Sequence, residues 1–186
     1  MNRAKKMYGQ ILAIGLLAMM TTSCAPSTSL VPVKELKVEQ YLGTWYDVAS
    51  FPQTFQDGCH CTTATYDLRE DGDISVLNKC RKESIDGEPS EATARAFIPD
   101  TTEPGKLKVE FFPFFAADYW VIELGVDGEN PYTYAVVSEP GQDYLWILSR
   151  TAAMDQAVYD EVLLRLEDMG FDLSQLNKTP QEGCSS

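Results

Sequence analysis

From Tyr41 onward the chain runs in short segments of alternating apolar and polar residues, each cut off by a cluster of Gly, Pro, Asp or Glu. Alternation with period two marks a strand with one buried face, and close, regular punctuation marks an antiparallel sandwich or barrel. Eight strands are predicted, at 44–51, 61–68, 74–81, 91–98, 106–112, 119–125, 132–138 and 144–150. Between them, Glu70-Asp71-Gly72-Asp73, Asp86-Gly87-Glu88-Pro89, Glu103-Pro104-Gly105, Asp127-Gly128-Glu129-Asn130 and Pro140-Gly141-Gln142-Asp143 supply residues that reverse a chain. Such short connections favour up-and-down order. The period then changes: Val158, Val162, Leu166 and Met169 recur every three or four residues, predicting an amphipathic helix over 154–169 that stops at Gly170. The expected fold class is all-β, an eight-stranded antiparallel up-and-down β-barrel with a C-terminal α-helix packed on its outside. Closure removes strand edges, and eight strands enclose room for one small ligand.

The first residues follow another pattern. Arg3, Lys5 and Lys6 precede an apolar run from Ile11 to Met20, then small and polar residues up to Cys24, the layout of a secretory signal over residues 1–23. The run is shorter than the roughly 20 residues a transmembrane helix needs. Thr21-Thr22-Ser23-Cys24 resembles a bacterial lipobox, with Thr21 where Leu is usual, so Cys24 is the expected lipidation site. Ala25 is not the Asp that commonly retains lipoproteins in the inner membrane, which points to the outer membrane with the domain facing the periplasm. Residues 24–35, rich in Ser, Thr and Pro, read as a tether, leaving 36–186 as one domain.

Charge narrows the partners. Cleavage before Cys24 removes three basic residues and no acidic ones, taking the formal charge from −13 to −16. Nucleic-acid affinity rests on neutralising phosphates with Lys and Arg, so no nucleic-acid partner is expected. Beyond Cys24 lie four cysteines, Cys59, Cys61, Cys80 and Cys184, an even number that in an exported chain predicts two disulfides in one of three pairings. Cys59-His60-Cys61 with Cys80 is the competing metal reading, but it lacks the Cys-x-x-Cys spacing of a zinc site. No metal or cofactor is expected.

Gly43-Thr44-Trp45-Tyr46 opens the first strand and Leu148-Ser149-Arg150-Thr151 closes the last. Together, in this order and spacing, they resemble the signature of the lipocalin family. Thr63-Ala64-Thr65-Tyr66, Val76-Leu77-Asn78-Lys79 and the run Asp143 to Thr151 extend the likeness to the bacterial outer-membrane lipocalins and their animal relative apolipoprotein D, over about residues 36–175. The family's middle signature is blurred at Glu129-Asn130-Pro131-Tyr132-Thr133-Tyr134. The resemblance implies that Trp45 plugs the closed end with Arg150 over its ring. Up-and-down order independently brings the start of strand one and the end of strand eight to the same end. The resemblance also implies Cys61 paired with Cys184, which leaves Cys59 with Cys80.

Alternation from these anchors assigns the interior. Asp47, Ala49 and Phe51 on strand one, and Leu148, Trp146 and Tyr144 on strand eight, are expected to point inward. The resemblance makes Tyr66 and Asn78 inward, and with them Ala64, Val76 and Ile74. Leu107, Val109 and Phe111 on strand five, and Trp120, Ile122 and Leu124 on strand six, complete the set. Ala49, Ala64, Tyr66, Val76, Asn78, Val109, Phe111, Trp120, Trp146 and Leu148 are the expected ligand contacts, with Gly43, Trp45 and Arg150 closing the barrel. Phe114 and Phe115, joined by Phe55, are expected to form an apolar portal at the opposite end.

The function this implies is binding, storage or transport of a small apolar ligand, such as a fatty acid or lysophospholipid, by a protein that is not an enzyme. One alternative is a lipocalin-fold isomerase using Cys80 as an inward nucleophile; the only histidine outside the signal is His60, so no base stands at a motif-like position. Another is a structural envelope protein with a filled barrel. A homodimer is left open.

Overall fold

The computed structural model describes residues 30–126 and 132–184. The signal, Cys24, most of the tether and the Asp127 to Pro131 turn lie outside the described residues.

A short helix α1 (Val38–Tyr41) leads into strands β1 (Gly43–Ser50), β2 (Cys59–Leu68), β3 (Ile74–Lys82), β4 (Pro89–Phe97), β5 (Lys106–Phe112), β6 (Phe115–Gly125), β7 (Tyr134–Ser138) and β8 (Leu145–Ser149). Helix α2 (Gln156–Asp168) and a two-residue strand β9 (Asn177–Lys178) follow. Each of the eight long strands pairs antiparallel with the next, and β1 pairs with both β8 and β2, so the sheet closes into a barrel. Strand β6 starts earlier than alternation predicts: Phe112 pairs with Phe115 across the two-residue turn Pro113-Phe114, which places Phe115 on the strand. Phe114 takes φ 72° to make that turn.

Two apolar layers hold the barrel. Inside lie Leu36, Tyr41, Trp45, Tyr66, Val76, Leu107, Val109 and Val137. Outside, Ile122, Val136, Leu145 and Ile147 pack under Tyr159, Val162 and Leu166 of α2. Asp155 caps that helix, accepting from the amides of Ala157 and Val158 at 3.0 and 3.1 Å. Arg165 fixes its roll on the wall through Glu123 at 2.8 Å, and Tyr134 donates to the same carboxylate at 2.6 Å.

Bulges correct the inward assignments. The β1–β8 register shifts between Asp47 and Ala49, and the β6–β7 register between Val121 and Glu123. A bulge adds a residue to one strand and reverses the facing of everything beyond it. Ala49 and Phe51 therefore turn outward into the layer beneath α2, as do Trp120 and Ile122, while Tyr119 and Val121 take the interior. Leu124, past the bulge, packs with the inner layer. Phe111 lies at a third shift, between Glu110 and Phe112, and is 45% exposed, packing with neither layer. Tyr144 is 40% exposed at the rim, stacked on Trp146 at 5.9 Å.

The wall between β1 and β2 is completed in two ways. Near the closed end the strands pair directly, Gly43 to Tyr46 against Tyr66 to Thr63. Toward the mouth the C-terminal segment comes between them. Ala49 and Ser50 pair with Lys178 and Asn177, Thr179 donates to the Val48 carbonyl, and Cys61 donates to the Pro180 carbonyl. The Gln181 amide then spans the seam, donating to the carbonyls of Asp47 at 2.8 Å and Thr62 at 2.7 Å.

Candidate functional site

The closed end is built on Trp45, which is fully buried. Its indole N–H donates to the Tyr41 carbonyl at 2.8 Å, so α1 lies across the barrel floor. The Arg150 guanidinium stacks 3.6 Å from the indole centroid, a cation–π contact. It also donates to the carbonyls of Gln40 at 2.7 Å, Thr44 at 3.0 Å and Tyr132 at 3.1 Å, tying α1, β1 and the start of β7 together. Gly43 sits at φ 90°, a backbone conformation that glycine adopts readily and L side chains only with strain, and this bends the chain from α1 into β1.

Residues paired across neighbouring strands face the same side of the sheet, so the register maps the inner wall. One row reads Trp45, Ala64, Asn78, Ala92; the next, Tyr66, Val76, Ala94; a third, Ile74, Ala96, Val109, Ala117. Tyr119 joins them opposite Leu107. Of the expected contacts, Ala64, Tyr66, Val76, Val109, Trp146 and Leu148 belong to or pack on the inner layer, and Asn78 shares its face. Ala49 and Trp120 do not.

The upper half of this interior is open. Pairing of β4 with β5 stops at Arg95 and Glu110, which also form an ion pair at 3.2 Å. Above that point Pro89 to Ala94 have no ladder partner on β5. Ala92 and Ala117 face inward yet are exposed. Small side chains line the wall there. The strand ends and loops at this end carry the most exposed aromatics among the described residues: Phe114 at 99%, Phe115 at 83%, Phe112 at 74% and Phe55 at 65%. A separate concavity of about 430 Å³ lies beside the mouth between the β1–β2 loop and the C-terminal segment, lined by Phe51, Gln53, Gln56, Asp57, Asn177 and Pro180.

Polar groups inside the barrel are few. Tyr41, Tyr66 and Tyr119 share their hydroxyls near the floor, with Tyr119 bonded to Tyr41 at 2.7 Å and to Tyr66 at 2.8 Å. Burial raises all three phenols, Tyr66 to about 12, so they stay protonated. Tyr41 and Tyr119 escaped the sequence analysis. Tyr41 precedes the first strand, and the bulge beyond Val121 gave Tyr119 the wrong face. Asp47 is also buried, its carboxylate bonded to Gln56, which accepts from the Trp146 indole at 3.2 Å. Desolvation pushes that carboxyl up to about 6 against the hydrogen bonds of Gln56, Thr179 and Ser50.

The cysteines are joined as Cys59–Cys80 and Cys61–Cys184. The second ties β2 to the segment that fills the seam. Cys80, as a disulfide, carries no thiol. Among the described residues no group of three or more His, Cys, Asp or Glu is placed to hold a metal ion.

Comparison with known proteins agrees with this architecture. Residues 36–181 match the family described as the lipocalin-like domain. The outer membrane lipoprotein Blc of Vibrio cholerae is 40% identical over 154 residues, covering 83% of this chain and 88% of that protein. Apolipoprotein D of Mus musculus is 35% identical over 162 residues, covering 82% of each. Insecticyanin from the tobacco hornworm Manduca sexta superposes with a TM-score of 0.62 at 22% identity, over 81% of this chain and 83% of that structure, which speaks to the fold alone. On the strength of the domain match and of relatives this similar over most of their length, the chain belongs to the lipocalin family.

Proposed function

We propose that this lipocalin holds a small apolar ligand in its barrel at the cell envelope, storing or carrying it rather than transforming it. The observation that carries the reading is the inner wall: Ala64, Ala92, Ala94, Ala96 and Ala117 face inward where larger residues would fill the barrel, and two of them are exposed. Val76, Val109, Leu148 and Trp146 supply apolar contacts around that space, while Tyr66, Asn78 and Tyr119 add a few polar groups, the usual division of labour in a ligand pocket. The gap between β4 and β5, beside Phe111, Phe112, Phe114 and Phe115, is the path in and out, with Phe55 across the mouth.

Lipidation at Cys24 after removal of residues 1–23 would keep the domain on the outer membrane, facing the periplasm; the outer membrane lipoprotein named among the relatives supports this placement. The isomerase alternative has lost its nucleophile, because Cys80 is bonded to Cys59. The experiment is native mass spectrometry of the protein purified gently from its host. A retained lipid is expected. A bare protein that also takes up no fatty acid or lysophospholipid on titration would return the filled-barrel reading.

A further inference from the structure

The hydroxyls of Tyr41, Tyr66 and Tyr119 do not balance. Each phenol brings one proton. Two hydrogen bonds join the three oxygens, and none of them bonds to another group among the described residues. One O–H is left without an acceptor, and a sheltered donor without one is costly. The arrangement in which Tyr41 and Tyr66 both donate to Tyr119 leaves the spare proton on Tyr119. Tyr119 is the least buried residue of the three, since Tyr41 and Tyr66 are 1% and 4% exposed whereas Tyr119 is half-buried.

Two neighbours point the same way. Arg150, behind Trp45, spends its donors on backbone carbonyls, and among the described residues no carboxylate pairs with its charge under the floor. Asn78, diagonal to Tyr66 on the inner face, makes no side-chain hydrogen bond among the described residues. The acid that acts on Tyr66, Asp47, is 3% exposed and engaged by Gln56. Tyr41, Trp45 and Tyr66 fill the rest of the floor, so only a compact head fits there.

We propose that the floor beside Tyr119 is the seat for a ligand carboxylate, and that the ligand is a single-chain carboxylic acid bound head-down. Its hydrocarbon runs past Ala94, Val109 and Ala117 to the phenylalanines of the mouth. The proposal rests on the ligand-binding reading above and adds the head group and its direction.

The test measures dissociation constants of the delipidated full chain for palmitate, methyl palmitate and a lysophosphatidylcholine. Tyr119→Phe is expected to weaken palmitate by about tenfold or more, the worth of one hydrogen bond to a charged group, and to change the other two less than threefold. Unchanged palmitate affinity overturns the head-down seat while leaving the cavity intact. If none of the three binds the unaltered protein, the cavity reading itself fails. Because Tyr119→Phe also strips an acceptor from two buried phenols, a second measurement leaves the tyrosines untouched. Palmitate brominated beside the carboxyl or at the far end of the chain is bound to the Trp120→Phe, Trp146→Phe protein, in which Trp45 alone emits. Quenching by the head-brominated acid is expected; stronger quenching by the far-end bromine overturns the orientation.

Discussion

Replacing Trp45 by alanine tests the floor of the barrel. The indole is fully buried, donates one hydrogen bond to the Tyr41 carbonyl, lies 5.1 Å from the Tyr41 ring and carries the Arg150 guanidinium at 3.6 Å. A buried Trp removes about 150–250 Å² from water, worth about 4–6 kcal/mol at 25 cal/mol/Å². Large aromatic truncations in cores cost about 3–5 kcal/mol once partial collapse is included, and that is the expected loss. The assay is urea denaturation followed by far-UV circular dichroism, with both disulfides intact. Pairing the change with Arg150→Met in a double-mutant cycle isolates the stacking, for which a coupling of about 1–2 kcal/mol is expected in so desolvated a contact. A loss below about 1.5 kcal/mol for Trp45→Ala, or no coupling with Arg150, would refute the claim that this pair seals the floor.

Other perturbations probe the seam and the wall. Asp47 has a folded-state pKa raised from 3.8 to about 6, so its contribution is most favourable below pH 4 and is lost as pH rises through 6; the ionised form costs about 3 kcal/mol. Asp47→Asn should therefore stabilise the protein by about 2–3 kcal/mol more at pH 8 than at pH 4, measured by denaturant titration at both; equal effects would contradict the buried charge. Replacing Cys61 and Cys184 together with Ser removes a link between residues 123 apart and should cost about 2–5 kcal/mol, with faster amide exchange at Thr179 and Cys61; unchanged exchange there would mean the segment holds its place unaided. Trp146→Ala removes a large apolar surface from the wall and should weaken a displaceable fluorescent fatty acid by about tenfold or more at unchanged fold; equal affinity would take Trp146 out of the pocket.

Most of the barrel was legible in the sequence because its strands alternate and its turns carry Gly, Pro and Asp. Helix α2 was equally plain from Val158, Val162 and Leu166. What failed was facing, at specific places. A bulge leaves no trace in composition, and it did most harm where α2 covers the outer wall. Ala49 and Trp120 are apolar because both faces of the sheet are buried there, so nothing in Val48-Ala49-Ser50-Phe51 or Trp120-Val121-Ile122 marks which residue is inside. Tyr119 was hidden for the same reason, since the shifted alternation put Trp120 where Tyr119 belongs. Strand β9 is two residues long and makes sense only against Ala49 and Ser50, far away in sequence, so no local pattern announces it.

The strip that seals the upper wall begins at residue 177, behind every other element in chain order. Without it, the cylinder would be zipped only over its lower part, and the slot between Asp47 and Thr62 would have no amide to bridge it. The side wall is thus a composite, completed by a docked peptide edge that the bond between Cys61 and Cys184 rivets in place.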